Sequence, residues 1–141
     1  MKEAVVLMSV VCLLLVLPAC HQSRNSYAET LLTARDSATA AKFRFNRKDY
    51  LFGEVKAGAL ITYSFKFIND GKSPLIIRDI YTSCGCTVTS YEHTPVAVGK
   101  QGEIKVTFNT DGKSGIQRKI VTITANTVPR LSQVAMAGIV K

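Results

Sequence analysis

The sequence predicts an all-β protein, a sandwich of about seven short strands behind an exported leader. Three observations carry this: apolar and polar residues alternate from Phe43 onward, turn-forming Gly, Pro, Asn and Asp recur about every ten residues, and no stretch from 43 to 141 has helical period. The 141 residues are 47% hydrophobic, which suits one compact domain. Architectures that take about 200 residues or more, such as a (β/α)₈ barrel, do not fit.

The leader comes first. Lys2 supplies a positive start, and Ala4 to Leu17 are uncharged and apolar, shorter than the roughly 20 residues of a permanent membrane helix. Residues 1–19 therefore read as a signal peptide. Leu17-Pro18-Ala19-Cys20 resembles a bacterial lipobox, with Glu3 an unusual residue for the region before it. That resemblance implies lipid transfer to the Cys20 thiol, cleavage after Ala19 and acylation of the new amino terminus, by palmitate or a similar chain. Each buried methylene contributes about 0.8 kcal/mol, so more than one chain anchors stably. Cys12 leaves with the peptide. The cut removes Lys2 and Glu3 together, so the net charge of +8 is kept. No Asp follows Cys20 in His21 to Asn25, and by the same resemblance this favours the periplasmic leaflet of the outer membrane.

Residues 20–42 are small and polar and read as a tether. Ser26 with Glu29 resembles a capping box, and Ala28 to Ala41 are fair helix formers. Only Tyr27, Leu31 and Leu32 offer an apolar face, which makes a frayed, solvated helix the expectation.

The domain follows at 43–141. Phe43 and Phe45, then Tyr50 to Val55, suggest one broken strand that bends near Gly53. Leu60 to Asn69 alternate most clearly, with Ile61, Tyr63, Phe65 and Phe67 on the buried face. Asn69 to Pro74 is a turn, and Leu75 to Tyr81 resume as a strand. Thr87 to Tyr91 continue after Cys84-Gly85-Cys86. After the turn at Val98 to Gly102, Glu103 to Asn109 place Ile104, Val106 and Phe108 inward. Gln117 to Ala125 and Leu131 to Val140 close the list, and the small residues Ser132, Ala135 and Ala137 suggest that the last strand is an edge open to a partner strand. This count and spacing are those of an immunoglobulin-like β-sandwich. The chain has no Trp, so the Cys-Trp-Cys pattern of true immunoglobulin domains is absent and the core must come from Phe, Tyr, Ile and Val, at about 1.5–3 kcal/mol per large side chain.

Several blocks carry a further resemblance: Phe52-Gly53-Glu54-Val55, Tyr63 through Gly71, Pro74 to Ile77, Ser83-Cys84-Gly85-Cys86-Thr87, Gly102 through Asn109, and Gly138-Ile139-Val140. In this order they resemble the DUF1573 family across nearly all of 43–141. That resemblance implies an immunoglobulin-like fold similar to major-sperm-protein and hydin-type domains, a place in bacterial envelopes, and no established activity. Val98-Gly99 departs from the family's usual Pro-Gly turn.

Cys84 and Cys86 are the chief site candidates, since free thiols seldom persist in an oxidising compartment. In an extended strand their Cα atoms would lie about 6.6 Å apart, near the limit for a disulfide, and Gly85 permits a tighter turn. Three readings stay open: a structural bridge or packed thiols, a strained redox pair, or a Cu or Zn site with His93 or Met136 as further ligands. No charged device to lower a thiol pKa is visible nearby in sequence, Arg78 being the nearest base. His21 and His93 are loop residues; Cys84 with His93 is the one imaginable nucleophile–base pair. No Ser-His-Asp order, phosphate loop or HExxH motif occurs, so neither catalysis nor a cofactor is expected.

Lys and Arg outnumber Asp and Glu 18 to 10, without the basic block or aromatic platform that nucleic-acid binding uses. An anionic glycan or a lipid headgroup suits that field better. The expectation is a lipid-anchored envelope protein that binds or scaffolds another envelope component; the alternative is thiol redox or soft-metal handling by Cys84-Gly85-Cys86.

Overall fold

The computed structural model describes residues 37–82 and 86–141. Eight strands follow one another: β1 (Phe43–Phe45), β2 (Asp49–Val55), β3 (Leu60–Asn69), β4 (Ile77–Thr82), β5 (Cys86–Tyr91), β6 (Gln101–Asn109), β7 (Gly115–Ala125) and β8 (Leu131–Val140). They form two four-stranded sheets, ordered β1-β3-β6-β5 and β2-β8-β7-β4, packed as an immunoglobulin-like sandwich.

Alternation decides which side chains meet between the sheets. Phe65 and Phe67 of β3, Ile104, Val106 and Phe108 of β6, and Val121 and Ile123 of β7 are fully buried, while Lys66 between the two phenylalanines is exposed. Aromatic contacts bridge the layers: Tyr50 of β2 stacks on Tyr63 of β3 with centroids 4.0 Å apart, and Phe52 meets Phe108 at 5.9 Å. Burying a ring of this size stabilises by about 1.5–3 kcal/mol before any pair term.

Two expectations are corrected. The first broken strand is two strands in different sheets. Asn46 N–H donates to the Lys66 carbonyl at 3.0 Å, and two residues later the Lys48 carbonyl accepts from Ala135 N–H at 2.7 Å, so the chain crosses between layers there. The expected bend does occur at Gly53, where the β2–β8 register shifts and φ is +72°, a value that suits glycine. The last strand is not an edge. β8 lies between β2, which runs parallel to it, and antiparallel β7, and a Cβ on Gly138 would lie 2.3 Å from the Phe52 ring of β2. The long edge strands are β2, β4 and β5.

Sheet pairing also explains one glycine of the family-like blocks. Gly102 faces Phe67 across β3 and β6. A Cβ there would lie 2.5 Å from Phe67 Cζ, so the ring occupies the space a side chain would need.

Asn69, at the end of β3, ties the loops of this end together. Its side chain is fully buried. Nδ2 donates to the carbonyls of Ser73 at 2.8 Å and Val96 at 2.9 Å, and Oδ1 accepts from the N–H groups of Gly71 at 3.1 Å and Lys42 at 3.3 Å. Ala41 is buried in the core and bridges to Thr127, so the packed structure already includes residues just before Phe43. The expected lipidation site, Cys20, lies outside the described residues, as do the leader and most of the tether; residues 37–39 make a single helical turn.

Candidate functional site

Of the two expected thiols, Cys84 lies outside the described residues and Cys86 opens β5. Cys86 faces inward opposite Phe108 of β6 and packs against the core. Burial pushes its thiol pKa up, and Lys119 of β7 opposes this more weakly. Lys119 places Nζ 5.1 Å from the centre of the Phe108 ring, the same residue that pairs with Cys86. The sequence gives no sign of this approach, because it depends on which strands face one another. The net direction is away from the thiolate that nucleophilic, redox and metal chemistry requires.

The other residues drawn into that chemistry lie elsewhere. The His93 ring meets Tyr91 at a 45° tilt with centroids 4.1 Å apart, past the far end of β5. Tyr91 itself lies five residues along the strand from Cys86, about 16 Å at 3.3 Å per residue, so His93 is not beside that thiol. Met136 is fully buried among the packing residues of β8. Among the described residues no group of three or more His, Cys, Asp and Glu side chains is placed to hold a metal ion.

The outer faces of the sheets differ in chemistry. On β1-β3-β6-β5 most outward residues are polar, with Leu60 and Ile68 at the ends of β3 the apolar ones: Thr62 and Thr107 share a hydrogen bond at 2.8 Å, and Lys66 stands opposite Glu103. On β2-β8-β7-β4 the outward set mixes exposed aliphatic residues with polar ones, and Gln133 Nε2 donates to Thr122 Oγ1 at 3.1 Å there. Leu51 is 75% and Ile116 85% exposed, with Ile120 and Ile139 also on the surface. The register makes these residues neighbours: Ile116 is opposite Ile139, Leu51 opposite Ala137, and Ile120 opposite Ala135. Charges interrupt the face: Arg118 of β7 stands between Ile116 and Ile120, opposite Ala137, and pairs with Asp49 at 3.9 Å, and Lys141 pairs with Glu54. On β4 its rim carries Tyr81, whose phenol is held above its usual pKa by a hydrogen bond to Asp79 and by that carboxylate's charge.

A family model described as a protein of unknown function (DUF1573) matches residues 43–140. The chain belongs to the DUF1573 family. No curated protein matches it. Solved structures similar to this DUF1573 chain include a protein of unknown function from Porphyromonas gingivalis W83 (14% identity, TM-score 0.62, covering 73% of this chain and 48% of that one). The secreted serine protease VesC from Vibrio cholerae is another (14% identity, TM-score 0.56, 76% and 24%). A third is PapD-like domain 7 of human CEP192 (9% identity, TM-score 0.52, 75% and 87%). The chain thus spans about a quarter of the protease and about half of the P. gingivalis protein. At these identities the likeness is one of fold, and the CEP192 domain matches the sandwich over most of its own length.

Proposed function

We propose that this DUF1573 protein is a lipid-anchored component of a bacterial envelope whose sandwich binds another envelope protein without catalysing a reaction. The supporting observation is the group of exposed aliphatic side chains on the outer face of β2-β8-β7-β4, where Ile116 lies opposite Ile139 and Leu51 opposite Ala137, with Arg118 and Ile120 beside them on β7. Exposed apolar side chains grouped around an arginine are common in protein-binding patches. Anchoring rests on the lipobox-like Leu17 to Cys20. Thiol redox chemistry is not part of the proposal, because burial disfavours ionisation of Cys86.

Two variants of the full chain test it in a bacterial host. Cys20→Ala should leave the protein soluble or as an uncut precursor; processed protein that still fractionates with membranes at the original level would refute the anchor. Leu51→Ser with Ile116→Ser should abolish co-purification of a cross-linked partner while shifting the melting temperature little, as surface changes within about 0.5 kcal/mol do. An unchanged partner yield would refute the binding face.

A further inference from the structure

One end of the sandwich combines positive charge with protruding apolar side chains. The turn at 97–100, the loop at 126–130 and the entering segment at 40–42 are joined there: Asn69 N–H donates to the Lys100 carbonyl, Lys72 N–H to the Ala40 carbonyl, and Ala41 bridges to Thr127. These segments, the turn at 70–74 and the β1–β2 crossover carry Lys42, Lys48, Lys72, Lys100 and Arg130, all exposed. Val98, Val128 and Leu131 stand among them, about half exposed each, at 50%, 45% and 56%. Lys42, Lys48, Val128 and Leu131 line a cleft of about 510 Å³, and Lys42, Lys72 and Val128 line a second of about 230 Å³.

Local acids do not cancel this charge. Asp70 is paired with Arg44 at 3.4 Å, and the one charge of Glu92 leaves the cations well in excess. At the opposite end, Lys56 and Lys113 are mixed with Asp111 and with the Lys141–Glu54 pair, so the two ends differ in field.

We propose that this end docks on an anionic phospholipid surface, with Val128 and Leu131 entering the headgroup layer and the five cations meeting lipid phosphates. A basic rim around exposed aliphatic side chains matches the two components of such a surface. The described chain enters the domain at this same end, through Ser37 to Lys42. Seventeen residues from Cys20 reach at most about 60 Å, which would keep an anchored domain within range of the bilayer. This reach rests on the anchor proposed above; the docking surface itself does not need the lipid.

The test uses vesicles of phosphatidylcholine alone, or of phosphatidylcholine with phosphatidylglycerol, carrying brominated acyl chains. The chain has no Trp, so Val128→Trp supplies the sole indole. Its emission should shift to the blue and be quenched in the phosphatidylglycerol vesicles. In the unlipidated Cys20→Ala background, the ratio of affinities for the two vesicle types measures docking alone, and partition of the lipidated chain into phosphatidylcholine reads the anchor separately. Each cation near such a surface contributes roughly five-fold, so Lys42→Gln, Lys72→Gln and Arg130→Gln together should lower the ratio on the order of a hundred-fold. Three results would overturn the proposal: equal affinity for both vesicle types, an equal loss per cation from Lys56→Gln with Lys113→Gln at the other end, or capture by a soluble anionic polysaccharide while the indole keeps its aqueous emission on vesicles.

Discussion

Replacing Asn69 by Ala removes four hydrogen bonds at one stroke, those to Ser73, Val96, Gly71 and Lys42. Each such bond nets about 0.5–1.5 kcal/mol. The Val96 carbonyl keeps the Leu75 N–H at 2.9 Å and is not orphaned, whereas the backbone N–H groups of Gly71 and Lys42 lose the partner Asn69 supplies. The expected loss is therefore about 2–4 kcal/mol, since water can reach part of this loop cluster. For a domain of this size that is a drop of roughly 10–25 °C in melting temperature. Urea melts read by circular dichroism, with the slope compared across variants, measure it directly. Asn109→Ala is the matched control: its side chain accepts one exposed bond, from Asp111 N–H at 2.9 Å, and should cost under about 1 kcal/mol. Asn69→Asp should be as damaging as Ala, because a carboxylate has no N–H for the two carbonyls. If Asn69→Ala falls within 1 kcal/mol of the parent, or no further than Asn109→Ala, Asn69 does not hold these loops and the reasoning fails.

The core and the thiol give two more expectations. Phe65→Ala should cost about 3–5 kcal/mol and Lys66→Ala under about 0.5 kcal/mol in the same melts; equal costs would contradict the alternation that builds β3. For Cys86, a folded-state pKa above the usual 9.0 means that the neutral thiol is favoured on folding, so its contribution is complete below pH 9 and is lost as pH rises through the raised value. The stability gap between the parent and Cys86→Ala should narrow above that pH, and a gap that widens there would show a thiolate stabilised by the fold.

Much of this fold is legible in the sequence because period and turn chemistry are local. The alternation over Leu60 to Asn69 and over Glu103 to Asn109 reappears as buried Phe65, Phe67, Ile104, Val106 and Phe108. What is not legible is partner choice. Phe43 to Phe45 and Tyr50 to Val55 have the same period whether they join one sheet or two, and nothing in Leu131 to Val140 says that β8 has a neighbour on each side. Asn69 reads as a turn residue, and only the return of Lys42 and Val96 to its side reveals a buried junction. The outer face is missed for the same reason, since Leu51, Ile116 and Ile139 are far apart in sequence and become neighbours only when β2, β8 and β7 align. The thiol motif stands out in sequence because of its spacing, yet the burial that sets the behaviour of Cys86 comes from β6 and β7.

The central claim is that the outer face of β2-β8-β7-β4 is where this protein meets a partner protein. A photoreactive residue placed in the full chain at Ile116, and in a second version at Thr62 on the polar face of the other sheet, tests it most directly when both are irradiated in intact cells. A discrete cross-linked adduct from position 116 and none from position 62 is the predicted result; adducts from both positions alike, or from position 62 alone, would contradict it.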